Sequence, residues 1–251
     1  MSDERAAPVE GARAMAESAV AAAEGASGAA ERPGIAERAG DGAIRGLLVD
    51  WGGVMTTNLF RSFSAFCEAE GLDPAALVQV FRNDRDAREL LIGFEEGRVA
   101  EADFEARLGG VLGLASPAGL IDRLFSGSTL EETMVHAVRA ARSAGIATGL
   151  ISNSWGTTRY PRELLGELFD GVVISGEVGM RKPTARIYEL GAQAIARDPA
   201  ACVFVDDLPF NLAPAAELGM ATVHHTVAET TIAELERLLG IRLRLEPHSS
   251  E

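Results

Sequence analysis

The chain has 251 residues, of which 47% are hydrophobic, enough for the core of one large domain or of one domain with an insertion. Its net charge of −14 argues against a general surface for nucleic acid or for an anionic membrane, although local cations can still bind a small anion in one cleft. Two cysteines provide neither a disulfide framework nor a zinc pattern, and no apolar run reaches membrane-spanning length. We therefore expect a cytoplasmic protein, while its oligomeric state is not indicated.

Residues 1–43 are dominated by Ala, Gly, Glu and Arg and have almost no large apolar side chains. Such a segment cannot bury enough apolar surface to offset the entropy that it would lose on ordering. It also lacks the apolar segment of a signal peptide and is too acidic for a transit peptide. We predict a disordered tail at 1–43 and a second, short tail at 241–251.

From Ile44 onward, short apolar runs recur, each ending at polar or small residues, and helical stretches separate the later runs. This alternation is typical of a parallel sheet that is covered by helices on both faces. We therefore predict an α/β, Rossmann-like fold whose strands all end at one edge of the sheet. The predicted strands are 46–50, 147–152, 171–175, 201–207 and 221–225, and the predicted helices between the later strands are 161–169, 183–196 and 209–218.

Almost a hundred residues separate the first predicted strand from the second, against roughly 30 residues in a simple βαβ unit. The extra segment has helical patterns, and residues 131–144 lead the chain back to the sheet. We predict a small helical cap at 59–128, inserted into a core domain formed by residues 44–58 and 129–240. The predicted cap helices are 59–71, 73–84, 100–113 and 116–127.

Polar side chains mark the edge of the sheet where the predicted strands end. Asp50 ends the first strand, Ser152 and Asn153 end the second, and Asp206 and Asp207 end the fourth. Adjacent carboxylates after a buried strand are costly unless a cation or hydrogen-bond donors compensate them. The pattern therefore favours a Mg²⁺ site with oxygen ligands over a solvated turn.

Lys182 and Arg181 stand where a helix is predicted to begin, a place that disfavours cations unless an anion lies nearby. Ser152 could simply cap a turn, but its hydroxyl and the neighbouring N–H groups also suit a phosphate oxygen. A carboxylate nucleophile, a divalent metal, a hydroxyl and a lysine together indicate phosphoryl transfer.

Four segments in this order resemble the motifs of the haloacid dehalogenase (HAD) superfamily of hydrolases: VDWGGV, LISNS, GMRKPTARIY, and VFVDDLPFN followed by AAELGM. The resemblance covers roughly residues 44–240, and the last two motifs look especially like the sugar-phosphate phosphatases and the N-terminal phosphatase domain of soluble epoxide hydrolases. It implies a Mg²⁺-dependent phosphatase that acts on a small phosphorylated metabolite through an aspartyl-phosphate. The helical insert resembles the cap that shields such sites and reads the substrate.

The resemblance also implies a role for residues in each motif. Asp50 would be the catalytic nucleophile, and Lys182 would orient it and offset its charge. Ser152 and Asn153 would bind the transferred phosphoryl group. The residues implied for Mg²⁺ are Asp50, the backbone carbonyl of Gly52, Asp206 and Asp207, with Asp207 favoured as a direct ligand.

Gly52 departs from the family pattern, because most phosphatases of this family have a second Asp two residues after the nucleophile. That Asp protonates the leaving group and then activates water, a contribution worth roughly 10²–10⁴-fold. Three interpretations stay open: a phosphatase with a substitute acid, a phosphometabolite-binding or regulatory protein with little turnover, and a metal-free 2-haloacid dehalogenase. The acidic pair Asp206–Asp207 beside Lys182 argues against the third.

Overall fold

Five parallel strands form one sheet in the order β3-β2-β1-β4-β5, which confirms the predicted α/β, Rossmann-like fold. The structure is a computed structural model that describes residues 43–244, so the predicted tail at 1–43 lies almost entirely outside the described residues, as does the tail at 241–251 beyond residue 244. Within 241–244, Ile241 and Leu243 pack against the core of the sheet domain. Each strand lies within the range predicted from the sequence. The strands are β1 Gly46–Val49, β2 Ala147–Ser152, β3 Gly171–Ile174, β4 Cys202–Asp206 and β5 Ala221–His224.

Helices follow the strands and also fill the segment 59–128, which we call the cap. The cap contains α1 Leu59–Ala69, α2 Ala76–Asn83, α3 Arg85–Glu95, α4 Glu101–Leu112 and α5 Leu120–Phe125. The helices around the sheet are α6 Glu132–Ser143, α7 Arg162–Leu168, α8 Ser175–Val178, α9 Ala185–Ala194, α10 Pro209–Glu217 and α11 Ala228–Leu239. Within residues 43–244, no helix combines the length and the apolarity that crossing a membrane requires.

β1 is the central strand, and its side chains alternate between two separate hydrophobic clusters. Leu47 and Val49 pack with Val138 of α6 on one face of the sheet, and Leu48 packs with Tyr188 of α9 on the other. This alternation follows from the two-residue repeat of a strand. Because helices cover both faces, the ends of the strands remain as the place where a ligand can approach the sheet.

One cap helix, α3, is not predicted from the sequence, in which the second cap helix ends at residue 84 and no helix is assigned before residue 100. Asp84 has an extended backbone (φ −107°, ψ 113°), which ends α2, and its side chain accepts hydrogen bonds from the N–H groups of Asp86 and Ala87. The same residue therefore ends one helix and caps the next. The two helices follow each other without a Gly or Pro that would have marked a boundary.

The cap has its own apolar cluster, and the core contributes Trp155 to it. The Trp155 ring lies 5.3 Å from the Phe63 ring and 5.7 Å from the Phe104 and Phe125 rings, measured between centroids. Arg159 follows in the same loop, and its guanidinium forms two hydrogen bonds of 2.7 Å to Glu101 of α4. One loop after β2 therefore joins cap and core by aromatic packing and by an ion pair.

Candidate active site

Three carboxylates meet at the ends of β1 and β4. The two strands are neighbours, with Val49 opposite Val205, so Asp50 and Asp206 leave the sheet side by side. Asp50, Asp206 and Asp207 each offer an oxygen atom, and these atoms all lie within 4.8 Å of one another. The structure therefore brings together the three acidic residues that the sequence indicates, although Asp50 lies more than 150 residues from the other two along the chain.

Lys182 lies fully buried between two of these carboxylates. Its Nζ atom is 2.8 Å from Asp50 Oδ1 and 2.6 Å from Asp206 Oδ2. Asn153 holds the lysine backbone from both sides: the Lys182 N–H donates to Asn153 Oδ1 at 2.8 Å, and Asn153 Nδ2 donates to the Lys182 carbonyl at 3.1 Å. Asn153 thus positions Lys182 and also lines the cavity beside Asp50.

Asp206 is held by donors on several sides. Besides Lys182, the Asn211 amide donates to both carboxylate oxygens at 3.0 and 3.1 Å, and the Leu208 N–H donates at 2.9 Å. Within residues 43–244, Asp207 has no such set of donors, and burial together with the charges of Asp206 and Asp50 raises its pKa well above the usual range. Asp207 is therefore the carboxylate that most needs a compensating cation.

Burial raises the pKa of Asp50 to about 7, with Lys182 opposing the effect and Asp206 adding to it. Without a cation, the raised pKa values of Asp50 and Asp207 let these carboxyls keep protons, which lowers the charge of the cluster. When all three carboxylates are ionised, the one lysine leaves an excess of negative charge in a buried place. A divalent cation with oxygen ligands would remove this excess, and hard carboxylate oxygens are the donors that Mg²⁺ prefers. The donor set and its charge fit the metal that the sequence predicts.

Gly52 and Gly53 allow other side chains to approach the turn after Asp50. Gly53 has a φ of +77°, and a Cβ there would overlap the Asp207 carboxylate, so only glycine suits this position. Gly52 has no such backbone requirement, but a Cβ there would lie 2.7 Å from Leu59 Cδ1. Leu59, the first residue of α1, therefore occupies the space into which an acid at position 52 would extend.

Ser152 faces Tyr160, a residue that carries no sequence signal of its own. The two hydroxyl oxygens are 2.8 Å apart, and both side chains are buried. Burial raises the pKa of Tyr160, so its hydroxyl keeps a proton that it can donate to Ser152. In that arrangement the Ser152 proton is free to turn toward an anion. The sequence could not link the two residues, because Tyr160 lies in an irregular loop after the strand.

A cavity of about 130 Å³, which we call the cap cavity, lies between the carboxylates and the cap. Asp50, Lys182 and Asp207 line it on the core side. Apolar residues supply much of the remaining wall, and two arginines and one glutamate also line it. These wall residues include Leu59, Phe60, Phe63, Phe81, Leu91, Ile92, Trp155, Arg88, Arg181 and Glu95.

The raised pKa of Asp50 predicts an unusual pH dependence of stability in the presence of a chelator. The folded protein keeps the Asp50 proton up to about pH 7, whereas the unfolded chain loses it near pH 4. The stability contributed by Asp50 therefore falls as the pH rises between these values. Urea unfolding of the wild type and of Asp50→Asn tests this. The free energy of unfolding of the wild type minus that of the variant should decrease by a few kcal/mol between these two pH values, because each pKa unit is worth about 1.4 kcal/mol. A difference that stays constant with pH would contradict a raised pKa of Asp50 in the folded protein.

Comparison with known proteins identifies the family. Residues 44–219 match the haloacid dehalogenase-like hydrolase family. The chain is 31% identical over 135 residues to bifunctional epoxide hydrolase 2 from Sus scrofa, a match that covers 51% of this chain and 24% of that protein. It is 32% identical over 154 residues to sesquiterpene phosphatase astK from Aspergillus oryzae, covering 59% of this chain and 78% of that protein. The match to the epoxide hydrolase therefore covers only 24% of the length of that protein.

Solved structures agree on the fold. A HAD family enzyme from Bacteroides thetaiotaomicron, in complex with magnesium and inorganic phosphate, matches with a TM-score of 0.55 and 20% identity, covering 73% of this chain and 95% of that chain. At this identity the likeness shows the fold alone. The family match, however, spans the whole site from Asp50 to Asn211, and it covers well over half of the chain. The chain therefore belongs to the haloacid dehalogenase-like hydrolase family.

Proposed function

We propose that the protein is a Mg²⁺-dependent phosphatase that hydrolyses a small phosphate monoester through Asp50. The observation that carries the proposal is the buried cluster in which Lys182 joins Asp50 and Asp206 while Asp207 lies beside them. Phosphoryl transfer needs a positioned nucleophile and positive charge near the phosphate oxygens more than it needs covalent chemistry from the protein. A similar protein is a sesquiterpene phosphatase, which supports this reaction class.

In the proposed reaction, an Asp50 oxygen attacks phosphorus, the bond to the leaving oxygen breaks, and water then releases phosphate from the aspartyl-phosphate. Lys182 holds Asp50 at 2.8 Å and offsets its charge, and Asn153 fixes the backbone of Lys182.

Ser152 would donate to a phosphoryl oxygen, with Tyr160 orienting its hydroxyl. Mg²⁺, when bound by Asp50, Asp207 and the Gly52 carbonyl, would supply positive charge for the phosphoryl oxygens. Asp206, already held by three groups, would act mainly by positioning Lys182.

Position 52 favours a second candidate function, the binding of a phosphometabolite with little turnover. Glycine cannot protonate a leaving group, and Leu59 fills the space beside it. Turnover would then depend on a proton from water or on a leaving group that needs none. A metal-free dehalogenase is the weakest candidate, since the three clustered carboxylates, once ionised, would have an excess of negative charge that a cation would balance.

A panel of small phosphate monoesters together with p-nitrophenyl phosphate tests the proposal. We expect phosphate release that requires Mg²⁺, stops on addition of a chelator and is abolished by Asp50→Asn. Asp103→Asn is the matched control, because Asp103 is an exposed carboxylate on α4. If no compound turns over while beryllofluoride and Mg²⁺ still bind at Asp50, the binding function replaces the catalytic one.

Gly53→Ala tests whether Asp207 needs the space above Gly53 in order to bind the metal. The substitution would displace the Asp207 carboxylate, so Mg²⁺ affinity should fall by at least about tenfold, the effect of about 1.4 kcal/mol. Gly113→Ala is the matched control, because Gly113 has a similar φ of +69° with nothing within 4 Å of the added Cβ. Both variants should lose similar backbone stability, roughly 1 kcal/mol. Titration of the melting temperature with Mg²⁺ separates them, and equal Mg²⁺ affinities would contradict the role of Asp207.

Restoring an acid at position 52 tests the origin of any low turnover. Gly52→Asp alone meets Leu59, so the informative variant is Gly52→Asp combined with Leu59→Ala. We expect its kcat on an alkyl phosphate, a poor leaving group, to rise more than its kcat on p-nitrophenyl phosphate. Gly52→Asn with Leu59→Ala is the control without an acid. An equal change on both substrates would show that leaving-group protonation does not limit the rate.

A further inference from the structure

We infer that the substrate carries a second anionic group, a carboxylate or a phosphate, which Arg88 of the cap binds at the far end of the cap cavity from Asp50. The inference rests on the proposed function and defines its substrate class. That class is a phosphate monoester whose phosphate is separated from the second anion by a short apolar spacer.

One face of α3 runs along the cap cavity and changes character along its length. Arg88, Leu91, Ile92 and Glu95 all line the cavity, and their spacing of three, four and seven residues places them on one side of a helix. Glu95 is tied to the core, because its carboxylate is 2.5 Å from Arg181 Nε, next to Lys182 in the chain. Arg88 lies seven residues away from this anchored end, about 10 Å along the helix axis.

Arg88 differs from the other cations of the cavity in what it binds. Lys182 is paired with two carboxylates, and Arg181 is paired with Glu95. Arg88 Nη1 instead donates to two backbone carbonyls at the end of α2, those of Phe81 at 3.2 Å and of residue 82 at 2.7 Å. Within residues 43–244 it forms no ion pair, and its Nε and Nη2 groups have no protein acceptor. These two groups form the fork that binds a carboxylate or a phosphate with two parallel hydrogen bonds.

The wall between the two charged ends is apolar. Leu91 and Ile92 lie between Arg88 and Glu95 on α3, and Phe60, Phe63 and Phe81 also line the cavity. Burying sugar hydroxyls against such a wall without partners would cost a few kcal/mol each. An apolar spacer therefore fits this wall better than a sugar, and a six-carbon chain keeps the two anionic ends within the roughly 10 Å that separate Arg88 from Glu95 along the helix.

Three six-carbon compounds test the inference: hexyl phosphate, 6-phosphonooxyhexanoate and hexane-1,6-diyl bisphosphate. With Mg²⁺ present, the wild type should have a kcat/KM at least tenfold higher for one or both of the doubly anionic compounds than for hexyl phosphate. Arg88→Gln should raise KM for the preferred compound by about the same factor and leave hexyl phosphate unchanged. Arg88→Lys, which keeps the charge, should retain part of the preference. The preferred compound of the two shows whether Arg88 binds a carboxylate or a phosphate as the second anion.

Arg85→Gln is the matched control, because Arg85 is an exposed arginine on the same helix that does not line the cap cavity. It should behave as the wild type on all three compounds. If Arg88→Gln weakens hexyl phosphate as much as the anionic compounds, Arg88 only supports the end of α2 and the inference is overturned. If no compound and no p-nitrophenyl phosphate turns over, the proposed function fails. The same compounds are then compared by the rise in melting temperature that each causes in the presence of Mg²⁺. Equal rises for all three would overturn the inference. Larger rises for the doubly anionic compounds that are lost in Arg88→Gln would support it.

Discussion

The arrangement of this site depends on one buried ammonium group, the Nζ of Lys182, which bonds to Asp50 and Asp206 together. Burying ions costs several kcal/mol each, and the cost is offset only when the geometry is close and further hydrogen bonds satisfy the charged groups. Here Asn153 holds the backbone of the lysine and Asn211 holds the second carboxylate. The ends of β1, β2 and β4 are thereby linked into one arrangement, so that losing one of these contacts would disturb the other two.

The same charges explain why the site suits a cation and a phosphate. Lys182 can balance only part of the charge of the three carboxylates, and Asp207, pressed against Gly53, has few donors of its own. A site with uncompensated negative charge would repel phosphate, whereas a divalent cation among the same oxygens reverses the local potential. The acidic chain, with its net charge of −14, can therefore hold an anionic substrate only where such local compensation exists.

The cap takes part in the site through the loops that also position the core residues. Arg181 pairs with Glu95 of α3 and directly precedes Lys182 in the chain, so one loop carries both the arginine that holds the cavity-lining helix and the lysine beside Asp50. Trp155 follows the second motif and lies in the aromatic cluster of the cap. Leu59 begins the cap and fills the space beside Gly52. The part of the protein that would read the substrate is thus packed directly onto the part that would perform the chemistry.

The sequence by itself determined the sheet and the carboxylate edge, because apolar runs that end at Asp50 and Asp206 can be recognised locally and parallel strands place their ends together. The start of α3 was missed, since Asp84 ends one helix and caps the next without a breaker. The partnership of Tyr160 with Ser152 and the position of Arg88 in the cavity wall were decided only by the tertiary structure. These contacts depend on how the loop and the cap pack onto the sheet, and neither hydrophobic periodicity nor a motif records that packing.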